Sequence, residues 1–102
     1  MPGGEIVHAR VVRGEIPTDK LDEAIRPWQE SVGPSAKRQS GFKGAQLMVD
    51  RNAGKVLSIG LWESKPEVRE SVGWNQEQIS KFAGLFSGPP TIEEGYELAA
   101  EG

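Results

Sequence analysis

Ile6-Val7-His8-Ala9-Arg10-Val11-Val12 is rich in branched side chains and stops at Gly14, with Pro17 shortly after, which marks a first strand. Behind it Leu21, Ile25, Trp28 and Val32 recur at four, three and four, so one apolar stripe predicts a helix. Thr18 and Asp19 offer oxygens for its first amides, Pro27 predicts a kink inside it, and Gly33-Pro34 predicts its end, with a short turn from Ser35 to Gln39 beyond. Phe42 to Val49 and Lys55 to Trp62 flank the turn formers Asp50-Arg51-Asn52-Ala53-Gly54, the pattern of a hairpin. Ser64-Lys65-Pro66-Glu67 matches a capping box and starts a second helix. Val68, Val72, Asn75, Ile79, Phe82 and Phe86 would share its inner face, Gly73 is the expected break, and Gly88-Pro89-Pro90 the end. Thr91 to Leu98 predicts a last strand with Ile92, Tyr96 and Leu98 on one parity.

Strand, helix, strand, strand, helix, strand is the order of a ferredoxin-like split β-α-β sandwich: an α+β fold with a four-stranded antiparallel sheet and two helices on one face. Residues 1–102 read as a single domain of this kind. The cleanest apolar alternations, Val7, Ala9, Val11 and Leu57, Ile59, Leu61, are assigned to the helix side. The other face then carries Ile6, His8, Arg10, Val12, Gln46, Met48, Ser58, Trp62 and Tyr96, too much large apolar area for open water. A second copy of the chain is the expected cover, giving a homodimer through the sheet face and a dimeric α+β barrel.

Composition narrows the chemistry. With no Cys, thiolate nucleophiles, iron-sulfur clusters and the common structural zinc sites are excluded, and a single histidine, His8, excludes any site built on two imidazoles. Lys and Arg number 12 against 15 Asp and Glu, for a net charge of −3, and Lys37-Arg38 is the longest basic run, so nucleic acid is not the expected partner. Val56 to Trp62 is too short to span a bilayer, and Met1-Pro2-Gly3-Gly4-Glu5 carries no positive leader, so a cytoplasmic protein without membrane attachment is expected. Glu93, Glu94 and Glu97 cluster without a histidine, which makes solvated or ion-paired acids rather than a metal site.

Gly41-Phe42 after the first helix, Leu61-Trp62-Glu63-Ser64 from strand three into the capped helix, and Gly88-Pro89 leading to Tyr96-Glu97-Leu98 together resemble the antibiotic biosynthesis monooxygenase-like family. The likeness runs from Ile6 to Leu98 and implies two ferredoxin-like subunits paired face to face into a β-barrel. It also implies one of several activities: cofactor-independent oxygenation of phenols and quinols, haem degradation, or none. The haem-degrading branch implies an asparagine in strand one and a tryptophan and an iron-binding histidine in helix two. Helix two has no histidine here and the matching strand-one position is Val7, so no haem, flavin or other cofactor is expected and the purified protein should be colourless. What the resemblance implies is a cofactor-free monooxygenase acting on an aromatic or phenolic molecule in a cleft between sheet and helices. The alternative is a non-catalytic dimer of the same fold that binds a small molecule or assembles with a partner.

Asn75 stands in the middle of an apolar stripe, where a buried amide needs either a protein partner or a ligand; capping a half-helix after Gly73 is the plainer explanation. Trp28, Trp74 and Phe82 are placed to wall the cleft for a flat aromatic ligand, with core packing the plainer role for Trp28 and a dimer contact the other for Trp74. His8 is the one ready-made general base, set against a polar network with Arg10, Gln46 and Ser58 inside a barrel. A register error of one residue would carry it to the helix side.

Overall fold

The computed structural model describes residues 6–101; Met1–Glu5 and Gly102 lie outside them. Four strands, β1 (His8–Glu15), β2 (Phe42–Asp50), β3 (Lys55–Trp62) and β4 (Thr91–Glu97), form one sheet in the order β2-β3-β1-β4. Every neighbouring pair is antiparallel, and the helical segments cross over between β1 and β2 and between β3 and β4, which is the expected ferredoxin-like plan. In the hairpin, Asp50 Oδ1 accepts the amides of Asn52 (2.9 Å) and Ala53 (3.0 Å), and Gly54 closes the turn at φ +70°. No helix among the described residues is long and apolar enough to cross a membrane.

The first crossover lacks the predicted cap and does not end where predicted. Thr18–Lys20 is a 3-10 turn without a side-chain cap, followed by α1 (Leu21–Pro27), a five-residue π turn (Trp28–Val32) and α2 (Gly33–Ala36). The Gly33 N–H reaches back five residues to Trp28 O. This wide turn lies between Pro27 and Pro34, two residues with no amide to give, so the ladder slips instead of stopping, and Gly33-Pro34 does not end the helix.

The second crossover breaks at Ser71, not Gly73, between α3 (Lys65–Glu70) and α4 (Val72–Ser80). Ser71 Oγ donates to Val68 O at 2.7 Å, a local bond that competes with the helical ladder. The break rotates the inner face: Val72 is exposed, while Val68, Ser71, Gln78 and Phe82 are buried. Past Ser80 the chain continues in turns, short of the predicted helix to Phe86. Ser64 does not cap a backbone amide either; its hydroxyl donates to Glu67 Oε1 (2.8 Å), whose other oxygen accepts from Ser40 Oγ (3.0 Å) and ties α3 to the start of β2.

The register reverses the predicted faces of the sheet. His8 pairs with Trp62, Arg10 with Gly60, Val12 with Ser58 and Gly14 with Val56, and this set faces the helices. Ala9 with Leu61 and Val11 with Ile59 face the other way, so the aliphatic alternation marks the open face, joined by Gln46, Met48 and Tyr96 as predicted. A bulge at Gly95 (φ +99°) makes the span from Glu93 to Tyr96 oppose only Ala9 to Val11, so Ile92 lies on the helix side and Tyr96 on the open side rather than sharing a parity. On the helix side Ile16, Leu21, Ala24, Val32 and Phe82 form the buried core.

Candidate functional site

Between the helix side of the sheet and the two crossovers lies a cavity of about 80 Å³. Arg10, Val12, Ser58, Gly60 and Trp62 form its floor; Trp28, Trp74, Asn75, Gln78, Ile79 and Phe82 face them from the helical layer. The gap follows from residue size. Gly60 has no side chain, and the Trp62 ring lies over it so closely that an added Cβ would sit 2.6 Å from ring atom Cζ3.

Trp62, 1% exposed, is the hub of the site. It meets Phe42 edge-on at 5.8 Å and Trp74 at 6.4 Å between ring centroids, and the Arg10 guanidinium carbon lies 5.1 Å from its ring centre. Trp74 is held from outside by its Nε1–H, which donates to Ser35 Oγ of α2 at 3.0 Å. Arg10 is 2% exposed: Nε donates to Glu94 Oε2 at 2.7 Å and Nη2 to Val68 O at 2.6 Å, while Nη1 is buried with no partner. Gln78 Oε1 accepts from Lys81 Nζ at 3.2 Å, leaving that amide oriented by the helix end.

Trp28, Trp74, Asn75 and Phe82 all line this cavity. Asn75 is not a cap: it sits inside α4, and its amide closes the helical bond to Ser71 O at 2.9 Å. His8 is on the helix side, opposite Trp62 on β3, and not on the barrel face; it does not line the cavity, and its Nδ1 is buried without a partner. Arg10, Ser58 and Trp62, assigned from the sequence to the other face, belong to the site, as does Gln78. Glycine was the available signal for them, because Gly14 and Gly60 mark where bulky rings approach a strand, Phe86 on the first and Trp62 on the second.

The open face carries its own charged cluster. Arg13 and the Tyr96 hydroxyl both donate to Glu93, which lowers the Glu93 carboxyl below its ordinary value, Arg13 contributing most; the same bond to Glu93 raises the Tyr96 phenol. On the cavity side the described lining contains no carboxylate, imidazole, thiol or phenol, and Arg10 is its one ionisable group. The site can stack a flat ring and hold an oxygen; it has no built-in proton acceptor.

No family model matches the chain. In sequence it is 30% identical over 104 residues to the uncharacterized protein Rv2557 of Mycobacterium tuberculosis, a match that covers 98% of this chain and 44% of that one, so the chain spans less than half the length of the curated relatives it matches. In structure it is similar to a Nitrosomonas europaea protein described as an antibiotic biosynthesis monooxygenase (TM-score 0.72, 12% identity, 96% of both chains). It is also similar to the monooxygenase from ActVA-Orf6 of Streptomyces coelicolor, solved with nanaomycin D (TM-score 0.75, 18% identity, 99% of this chain and 94% of that one). The chain has the fold of the antibiotic biosynthesis monooxygenases. A third similar structure, the heme-degrader MhuD of M. tuberculosis with two hemes bound, matches at TM-score 0.69 and 19% identity over 93% of this chain and 97% of that one. Haem does not fit the residues here: α3 and α4 carry no histidine, the lining offers no imidazole, thiolate or phenolate to iron, and the cavity is far smaller than a porphyrin.

Proposed function

We propose that the chain is a monooxygenase that binds a phenolic aromatic molecule between Trp28, Trp62 and Trp74 and uses no metal or flavin. The observation that carries this is a cavity walled by three indoles with only amide, hydroxyl and guanidinium groups among its polar lining, in a fold whose similar structures include a monooxygenase. The bound phenol would supply the electrons. Conversion of a phenol ring C–H to a quinone carbonyl consumes one dioxygen, places one oxygen atom on the ring and releases the other as water, with the C–H and O–H hydrogens leaving in that water. Asn75 and Gln78 would orient the ring by its oxygens, and the indoles would keep bulk water from the reacting carbon.

The aliphatic open face, with Met48 and Tyr96 close to half exposed, would pair with a second copy, which makes the active form a homodimer. The test is incubation of the protein with single-ring phenols under isotopically labelled dioxygen. One labelled oxygen per quinone, formed faster than with heat-denatured protein and lost in Asn75→Leu, is the expected result; label uptake equal to the denatured control refutes catalysis.

The cavity volume favours a second reading, a binding protein without turnover. About 80 Å³ is below the roughly 300–1,000 Å³ of ordinary ligand pockets and below the roughly 150 Å³ that encloses a benzene. A single aromatic ring exceeds this enclosed space and would lie partly in the mouth. Tight binding of a phenol with no labelled product selects this reading.

A further inference from the structure

We infer that Arg10 forms an oxyanion subsite in the cavity, so that the preferred ligand is an ionised phenolate, held through Nη1, and not the neutral phenol. This rests on the cavity being the ligand site, as proposed above. The guanidinium is buried to 2% exposure: its Nε–H is taken by Glu94 on β4, one N–H of Nη2 by the Val68 carbonyl of α3, and the two N–H of Nη1 by nothing. A buried N–H on a charged group is costly to leave unpaired, and the Trp62 face at 5.1 Å satisfies the charge through its π cloud without accepting that N–H in a hydrogen bond.

The charged groups around Arg10 limit what can meet it. Glu94 is the one carboxylate bonded to it; Glu93, the next residue, is turned to Arg13 on the opposite face of the sheet. β3 contributes Gly60 and Trp62, and α3 a carbonyl. The described lining has no base that would take a proton from a bound phenol, so a ligand that arrives ionised and finds the free Nη1 is the chemistry the site supports. Glu94, at 39% exposed, offsets part of the guanidinium charge through Nε and makes no contact with Nη1.

The test uses a pair of probes of nearly equal shape, 4-nitrophenol at a pH where it is ionised and its methyl ether 4-nitroanisole, titrated by calorimetry into the parent protein and two variants. The parent is expected to bind the phenolate at least about tenfold more tightly than the ether, the range of a hydrogen bond to a charged partner. Glu94→Gln should widen that preference, because the guanidinium loses its competing carboxylate at a partly exposed position. Arg10→Lys should abolish it, since an ammonium on a shorter, unforked side chain does not reproduce Nη1. Should Arg10→Lys fail to fold, the Glu94→Gln comparison carries the test alone. Equal affinity for the two probes in the parent, or a preference that Glu94→Gln does not widen, overturns the subsite while leaving the cavity as an aromatic site. Binding of neither probe overturns both.

Discussion

Gly60→Ala tests the orientation of the sheet, on which the whole site depends. The added methyl would lie 2.6 and 2.7 Å from Cζ3 and Cη2 of Trp62, about 0.8 Å short of ordinary carbon contact. The ring has little room to retreat, since Phe42, Trp74 and Arg10 pack around it and it is almost wholly buried. Overpacking of this kind costs about 1–3 kcal/mol, and the loss of unfolded-chain freedom on replacing glycine offsets about 0.4–1 kcal/mol, leaving a net destabilisation of up to about 2.6 kcal/mol, centred on about 1.3 kcal/mol. Gly73→Ala is the matched control, because in α4 its Cβ meets nothing within 4 Å, so it should stabilise by about 0.5–1 kcal/mol. Urea unfolding followed by tryptophan fluorescence, at one fixed protein concentration, reads both as shifts of the midpoint with unchanged slope. If the two variants shift the same way, Trp62 does not lie over Gly60 and the helix-side assignment of Arg10 and Trp62 falls with it.

Asn75→Leu should leave stability unchanged or raise it by about 1 kcal/mol through added apolar burial, while weakening binding of phenols; a loss of about 1–2 kcal/mol in urea unfolding would mean that the amide satisfies buried groups instead. Ile59→Glu, in the middle of the open face, should convert a species of twice the 11.1 kDa chain mass into one of 11.1 kDa by light scattering at micromolar protein, and a parent already at 11.1 kDa refutes pairing through that face. Asp50→Asn should flatten the acid end of the stability profile. The amides of Ala53 and then Asn52 hold the folded carboxyl below its ordinary 3.8, so this stabilisation is complete above 3.8 and is lost as pH falls through the lowered folded value. Thermal unfolding across that window should lose less in the variant than in the parent, and parallel profiles would contradict the turn's role.

Element order was legible because it rests on short-range chemistry. Branched runs between turn formers place β2 and β3 almost to the residue, and Asp50 to Gly54 form the turn their types demand. Helix breaks were less legible: Ser71 and Gly73 both weaken a helix, and what decides between them is the Ser71 hydroxyl finding Val68 O. Likewise two prolines near a stripe suggest a kink and an end, but a ladder slip of one residue between them serves as well. Trp28 on the first helical stripe and Asn75 and Phe82 on the second were visible at helical spacing, whereas Arg10 was hidden by its charge. An arginine in a strand reads as part of a polar network inside a barrel until its partners on β4 and α3, each far away in sequence, are known.

The inverted faces have a physical cause that also explains the cavity. Alternation chooses a buried side only when the other side is polar, and here both sides of β1 and β3 are apolar in different ways. Ala9, Val11, Leu57, Ile59 and Leu61 are aliphatic residues of moderate size, which make a surface that can lie against another sheet. The helix side alternates extremes, glycine at 14 and 60 and serine at 58 beside tryptophan at 62, with phenylalanine and tryptophan coming down from the crossovers. Large rings set over residues with little or no side chain cannot fill a layer evenly, so the packing leaves space where the rings end. Arg10 borders that space, and the two N–H of its buried Nη1 have no partner in the protein. A smoother helix side would pack better and close the cavity; the glycines that break the alternation on that side are the residues that leave the space open.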